Sequence, residues 1–111
     1  MALQTIGKMT LKNGGGFVVQ LGFTYRDENG EKQFSRRTGD ITLGFAGTAD
    51  PGNFDVPDDT DVSLYAMVVA GNNNEATRAF HYKRGDSNVA HYVITGTTIN
   101  NDLGLTGVSD H

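Results

Sequence analysis

The chain contains no cysteine and no tryptophan, and it has only two prolines among 111 residues. Without cysteine, disulfide bonds and cysteine-ligated zinc are excluded. No stretch approaches the roughly 20 apolar residues of a membrane-spanning helix. The first residues do not combine a basic segment with an apolar one, so we expect no classical signal peptide. Cytoplasmic localisation and non-classical secretion both stay open.

The sequence also lacks a strong excess of charge of either sign. The sequence has 9 basic and 13 acidic residues, for a formal net charge of −4. Its densest basic group is only Lys83-Arg84 with Arg78 nearby. Because phosphate recognition requires clustered Lys and Arg, the sequence argues against nucleic acid as a partner.

Glycine, in contrast, is abundant at 15 residues. Together with Asn and Asp it supplies the backbone conformations of tight turns, and many turns in a short chain imply many short strands. The length fits one hydrophobic core, so we expect residues 1–111 to form a single domain.

Two segments indicate the kind of strand expected. Residues 17–25 alternate apolar and other side chains, which is typical of a half-buried antiparallel strand. Residues 62–70 are apolar on both faces and predict a central, fully buried strand. Similar segments recur about every ten residues without a helical pattern. The sequence therefore predicts an all-β fold, an antiparallel two-sheet β-sandwich of about seven to nine short strands.

Turn residues suggest how the strands connect. Three hairpins are predicted, across residues 13–16, across Asn29-Gly30, and across residues 84–87. Alternation of Ile41, Leu43 and Phe45 predicts another strand. Residues 46–61 resemble a long loop, and the tail from Gly104 onwards is expected to be loose.

The long loop contains the first candidate site. Its oxygen-bearing side chains are of the type that binds Ca²⁺, and they belong to Asp50, Asn53, Asp55, Asp58, Asp59 and Asp61. The loop lacks the EF-hand pattern, and Asp is also a common turn residue. A calcium site and a solvated acidic loop are therefore both open.

A second candidate site is a polar turn. Asn72, Asn73, Asn74 and Glu75 offer amide and carboxylate groups that suit sugar hydroxyls. Ordinary turn chemistry explains the same residues. His81 and His91 lie on the two arms of one predicted hairpin, where they would face each other only if the connecting loop had three residues. Two histidines without a third ligand do not define a zinc site.

No motif of a known catalytic machinery occurs, and the paired carboxylates all lie in turn-like segments. We therefore do not expect an enzyme.

The order of strands and turns resembles the small lectin-like and cytolysin-like β-sandwiches: actinoporins, fungal fruit-body lectins and aegerolysins. The resemblance is carried by the segment Met9-Thr10-Leu11-Lys12-Asn13-Gly14, the Gly- and Asp-rich middle loop, and the segment Phe80-His81-Tyr82-Lys83. The chain departs from those families in having no Trp and no long amphipathic N-terminal helix. The resemblance therefore implies a binding module more than a toxin, and no binding residue is carried over.

These observations lead to a primary hypothesis and two alternatives. The primary hypothesis is a non-enzymatic module that binds a glycan or another small polar ligand, with or without assistance from Ca²⁺. One alternative is a structural protein that assembles into a homo-oligomer. The other is a membrane-active β-sandwich. The absence of Trp argues against the last, so we do not expect a membrane as partner.

Overall fold

The computed structural model describes residues 3–110. They form ten strands and one short 3-10 helix, Pro51–Phe54. The strands are β1 (Thr5–Ile6), β2 (Lys8–Asn13), β3 (Val19–Arg26), β4 (Lys32–Phe34), β5 (Ala46–Ala49), β6 (Thr60–Val68), β7 (Asn74–Glu75), β8 (Phe80–Tyr82), β9 (Val89–Gly96) and β10 (Asn101–Ser109).

The strands form two sheets that pack face to face. The larger sheet has the order β1-β8-β6-β3-β4, with β7 also paired to β6. The smaller sheet has the order β10-β9-β2-β5. The predicted all-β sandwich is confirmed, with two differences. The pairs β1–β8 and β2–β9 are parallel, and two-residue strands raise the number above the seven to nine expected.

The core is formed by side chains that alternate between buried and more exposed positions along the strands. In β6, Val62, Leu64, Ala66 and Val68 point inward and are at most 2% exposed. The opposite face of β6, which the sequence suggested was fully buried, is only half-buried. The apolar residues of β3 lie beside those of β6, and they face Met9 and the other inward side chains of the smaller sheet.

Two of the predicted hairpins are wrong. Strands β2 and β3 belong to different sheets, so residues 13–18 cross from one sheet to the other. Strands β8 and β9 are separated in the same way, which places His81 and His91 in different sheets. The reason is physical, because alternation fixes which face of a strand is buried but not which strand lies beside it. The hairpin across Asn29-Gly30 is confirmed as β3–β4.

Three further segments differ from expectation. Ile41 makes a single bridge to Val19, while Leu43 and Phe45 are 62% and 67% exposed in a turn instead of a strand. Residues 46–61 include β5 and the 3-10 helix. The tail expected to be loose contains β10, which pairs with β9 along almost its whole length.

One buried polar side chain organises the first crossing between the sheets. Asn13 is 0% exposed. Its amide nitrogen donates to the carbonyls of Phe17 (2.6 Å) and Ile41 (2.9 Å), and its side-chain oxygen accepts from the backbone of Gly15 (2.9 Å). These bonds satisfy backbone groups that the turn would otherwise leave buried without partners.

We expect Asn13→Ala to destabilise the protein by about 3 kcal/mol, because each abandoned buried partner costs about 1–3 kcal/mol and the turn relaxes in part. Urea unfolding at neutral pH measures this free energy. Asn29→Ala, in the exposed β3–β4 turn, is the matched control and should change stability by less than about 0.5 kcal/mol. Equal stability of the two variants would contradict the role given to Asn13.

Candidate functional site

The acidic loop is built mostly by bonds within the protein. Asp50 caps the 3-10 helix by accepting from the backbone of Gly52, and it also accepts from the Tyr82 hydroxyl. Asp55 accepts from the Arg36 guanidinium at 2.8 Å, and the same guanidinium donates to the backbone carbonyl of Asn53. These residues therefore shape the loop and fix it to the rest of the molecule.

The other three acids of the loop are also engaged. Asp58 accepts from the backbone N–H groups of Asp59 and Arg84. Asp59 and Asp61 lie on opposite sides of the His81 ring. Within residues 3–110, no group of three or more His, Asp or Glu side chains is arranged to hold a metal ion. Calcium binding by this loop stays a prediction.

The polar turn contributes to the structure of one end of the sandwich. Asn72 bonds to the backbone of Thr98 and Ile99 in the β9–β10 turn. Asn73 accepts from the backbone of Val68, and Asn74 donates to the Asn101 side chain at 2.8 Å. Asn72 and Asn74 thus connect the two sheets, Asn73 bonds within the larger sheet, and sugar binding by the three amides stays a prediction.

Glu75 lies apart from those three residues, on the outer face of the larger sheet. It accepts from Thr24 at 2.8 Å and pairs with Lys32. Burial alone would raise the pKa of Glu75, but these two partners lower it below its ordinary value. Glu75 also lines a cleft of about 1010 Å³, together with Arg26, Asp61 and His81. Most residues of this cleft are polar or charged, and we call it the polar cleft.

His81 is held by two carboxylates at the rim of this cleft. Its Nδ1 lies 2.7 Å from Asp61 and its Nε2 lies 2.6 Å from Asp59, while the Lys83 ammonium lies 3.6 Å from Asp59. The hydrogen bonds to Asp61 and then Asp59 raise the pKa of His81 above its ordinary 6.5. The bond from His81, followed by the charge of Lys83, lowers the pKa of Asp59. A protonated His81 ring that donates one hydrogen bond to each carboxylate explains both pKa shifts.

The most distinctive surface lies at the end of the sandwich where four loops meet. We call this surface the uncharged end and define it as residues 13–18, 42–45, 69–73 and 97–100. Backbone hydrogen bonds connect the loops, among them Asn13 to Phe45 (2.9 Å), Val69 to Val18 (2.9 Å) and Asn72 to Thr98 (2.7 Å). None of the four loops contains Asp, Glu, Lys, Arg or His.

Large apolar side chains project from the uncharged end. Ile99 is 74% exposed, and Leu43, Phe45 and Val69 are also exposed. Single exposed apolar residues are ordinary, but several on adjoining loops with no charge between them indicate a binding surface. Sequence reasoning missed this surface. The available clue was the set of segments without Asp, Glu, Lys, Arg or His at residues 13–25, 41–49, 62–74 and 92–101.

The opposite end has the reverse character. Its loops are residues 27–31, 50–59 and 83–88, and every one of them contains charged side chains. The loops at the two ends of the strands therefore differ in charge. Among residues 3–110, no helix is long and apolar enough to span a membrane.

Comparison with known proteins gives a likeness of fold. No family model matches the chain, and no curated protein matches it. Among solved structures, listeriolysin O is similar over 90% of this chain and 22% of its own, with 17% identity and a TM-score of 0.49. The membrane-binding domain of pneumolysin is similar over 91% of this chain and 96% of its own, with 14% identity and a TM-score of 0.44.

A disulfide-locked mutant of intermedilysin, solved with human CD59, is similar over 93% of this chain and 24% of its own, with 14% identity and a TM-score of 0.47. The chain thus spans about a quarter or less of the listeriolysin O and intermedilysin chains. The resemblance to actinoporins, fungal fruit-body lectins and aegerolysins stated above stays a prediction.

The His81 arrangement predicts a pH-dependent contribution to stability. Because the folded pKa of His81 is raised, its contribution is fully present below the ordinary value of 6.5 and is lost as pH rises through the folded value. We expect the urea midpoint of the wild type to fall across that window. His81→Gln should flatten this part of the profile, and the same slope in wild type and variant would contradict the assignment.

Proposed function

We propose that the protein attaches to lipid surfaces through its uncharged end. The observation that supports this is the projection of Leu43, Phe45 and Ile99, each more than 60% exposed, from adjoining loops without a charged residue. The four loops themselves contain no ion to desolvate, and the charged residues nearest to them in the sequence lie on the segments that flank them, among them Lys12, Asp40 and Asp102. This is the arrangement needed for entry into the apolar part of a bilayer, where a charge is costly.

The free energy expected from these side chains fits reversible attachment to a membrane. Full burial of a Leu, Ile or Phe side chain is worth about 1.5–3 kcal/mol, and the exposed parts of these three together equal about two full side chains. Their transfer into lipid therefore contributes on the order of 3–6 kcal/mol. A single lipid anchor of similar strength gives marginal, reversible membrane binding.

The charge pattern specifies the kind of lipid surface. The uncharged end has no Lys or Arg to attract anionic headgroups, and the chain as a whole carries a net charge of −4. Zwitterionic bilayers are therefore the expected target, with little dependence on salt. The expectation from the missing Trp, that a membrane is not a partner, gives way here to the exposed Phe, Leu and Ile side chains.

The test is co-sedimentation with phosphatidylcholine vesicles. The wild type should pellet with the vesicles, and raised ionic strength should not release it. Phe45→Ser and Ile99→Ser should each weaken the partition coefficient about tenfold, since each removes more than 1 kcal/mol of apolar transfer. Both residues are exposed, so the variants should keep the wild-type fold by circular dichroism.

Phe34→Ser is the matched control, because Phe34 is 56% exposed but lies on the outer face of the larger sheet, in contact with Tyr65. This variant should pellet like the wild type. Equal loss in all three variants would point to non-specific adsorption. A wild type that stays in the supernatant would overturn the proposal.

Sugar binding is a second candidate function, and the polar cleft favours it. Thr24, Lys32 and Glu75 bring donors and acceptors together on one concave face. Such groups suit a polyhydroxyl ligand. A glycan array probed with wild type and Glu75→Gln, with and without a chelator, tests this. Selective binding that the variant loses supports the cleft, sensitivity to the chelator adds calcium, and no binding removes this candidate.

A further inference from the structure

Strand β10 is a long open edge. It lies at the end of the smaller sheet, and within residues 3–110 only β9 pairs with it along its length. The other terminal strands of the two sheets, β1, β4 and β5, have two to four residues each, whereas β10 has nine. Open edges of this length template pairing with another strand.

The usual protections of such an edge are few. Residues 101–109 contain no Lys, Arg or Pro, and Asp102 is their only charged residue. Contacts from Asn72 and Asn74 cover the strand only at Asn101. A bulge at Thr106, between Leu105 and Gly107, interrupts the edge, so the regular open flank consists of residues 102–105.

The hydrogen-bond pattern shows which backbone groups of β10 point towards β9 and which point towards the open side. Thr97 donates to the Asn100 carbonyl across the β9–β10 turn. Hydrogen bonding alternates along an antiparallel pair. Residues 102 and 104 therefore direct their N–H and C=O groups towards β9, while Leu103 and Leu105 direct theirs towards the open side.

Gly104 supplies an independent observation. Its φ lies outside the positive range, and a Cβ built on it would meet nothing within 4 Å. By contrast, a Cβ on Gly7 would lie 2.1 Å from the Asp86 carbonyl oxygen, so the fold demands that glycine. Nothing in the monomer demands glycine at 104, although glycine weakens a strand. Glycine within a strand marks a bulge, a bend or the close approach of a ligand or another backbone, and at Gly104 the pairing with β9 is still regular, since the bulge begins only after Leu105.

We propose that β10 of one chain pairs antiparallel with β10 of a second copy, around a two-fold axis at Gly104. In this register Leu103 exchanges both backbone hydrogen bonds with Leu105 of the second copy, and Gly104 faces its own counterpart. Non-hydrogen-bonded pairs are the closest in a sheet, which explains the glycine.

The occupant is a second copy because the edge is complementary to itself. Leu103 and Leu105 are equally distant from Gly104, so both can bond at once, as a closed two-fold interface requires. Asp102 faces Thr106 of the second copy and not another acid. The pairing joins the two smaller sheets into one continuous eight-stranded sheet, and the two uncharged ends point in opposite directions.

The first test is light scattering after size exclusion of the full chain without lipid, over a concentration series. The wild type should reach twice the chain mass. Gly104→Lys should return it to the monomer, because it places two ammonium groups face to face across the pair. Gly39→Lys is the matched control and should remain dimeric, since Gly39 is also exposed and a Cβ there also meets nothing within 4 Å.

Amide hydrogen exchange supplies a second readout. The amides of Leu103 and Leu105 should be protected in the wild type and exposed in Gly104→Lys, while β6 stays protected in both. A wild type of monomer mass at every concentration would overturn the proposal, as would a dimer that Gly104→Lys leaves intact. Because no lipid is present, either result is independent of vesicle binding.

Discussion

The Asn13 side chain is the interaction on which the uncharged end depends. Strand β2 ends at this residue, and the next strand of the chain lies in the other sheet, so the backbone must turn through a buried space. One amide there satisfies groups on the crossing and on the Ile41 segment. The exposed loop with Leu43 and Phe45 is thereby fixed to the core, although its own side chains contribute little to that core.

The loops at the two ends of the molecule carry side chains of different chemistry. Loops at one end hold carboxylates, guanidinium groups and the His81 cluster, which keep that end hydrated. Loops at the other end are joined by backbone and amide bonds alone and leave aliphatic and aromatic side chains in water. A soluble protein tolerates such a surface at a cost in solubility, so a partner that covers it is expected.

The sequence predicted the elements whose patterns are local. Alternation over residues 17–25 and the Asn29-Gly30 turn were sufficient to place β3 and its hairpin with β4. Partners distant in sequence were not predictable, because period-two patterning is the same whichever strand lies alongside. That is why the parallel pair β2–β9 was missed and why His81 and His91 were placed on the two arms of one hairpin. Strand β10 was missed because its Asn, Gly and Thr residues resemble those of a turn.

The candidate sites were also predictable only where they depend on local sequence. Asp and Asn clusters were visible in the sequence, but whether an oxygen is free for a ligand depends on contacts such as that between Asp55 and Arg36, which only the fold reveals. The uncharged end is assembled from four separate segments, so no single window of sequence showed it. Its signature was the absence of charge from all four at once, and that becomes meaningful only when the loops are known to adjoin.

The absence of cysteine allows the central claim to be tested at single positions. A Cys introduced at Ile99 and, separately, at Asn29 can carry an environment-sensitive fluorophore, one label at each end of the molecule. On addition of phosphatidylcholine vesicles, the label at 99 should shift to shorter wavelength and gain intensity, while the label at 29 should stay as in water. No change at 99, or the same change at both positions, would contradict attachment through the uncharged end.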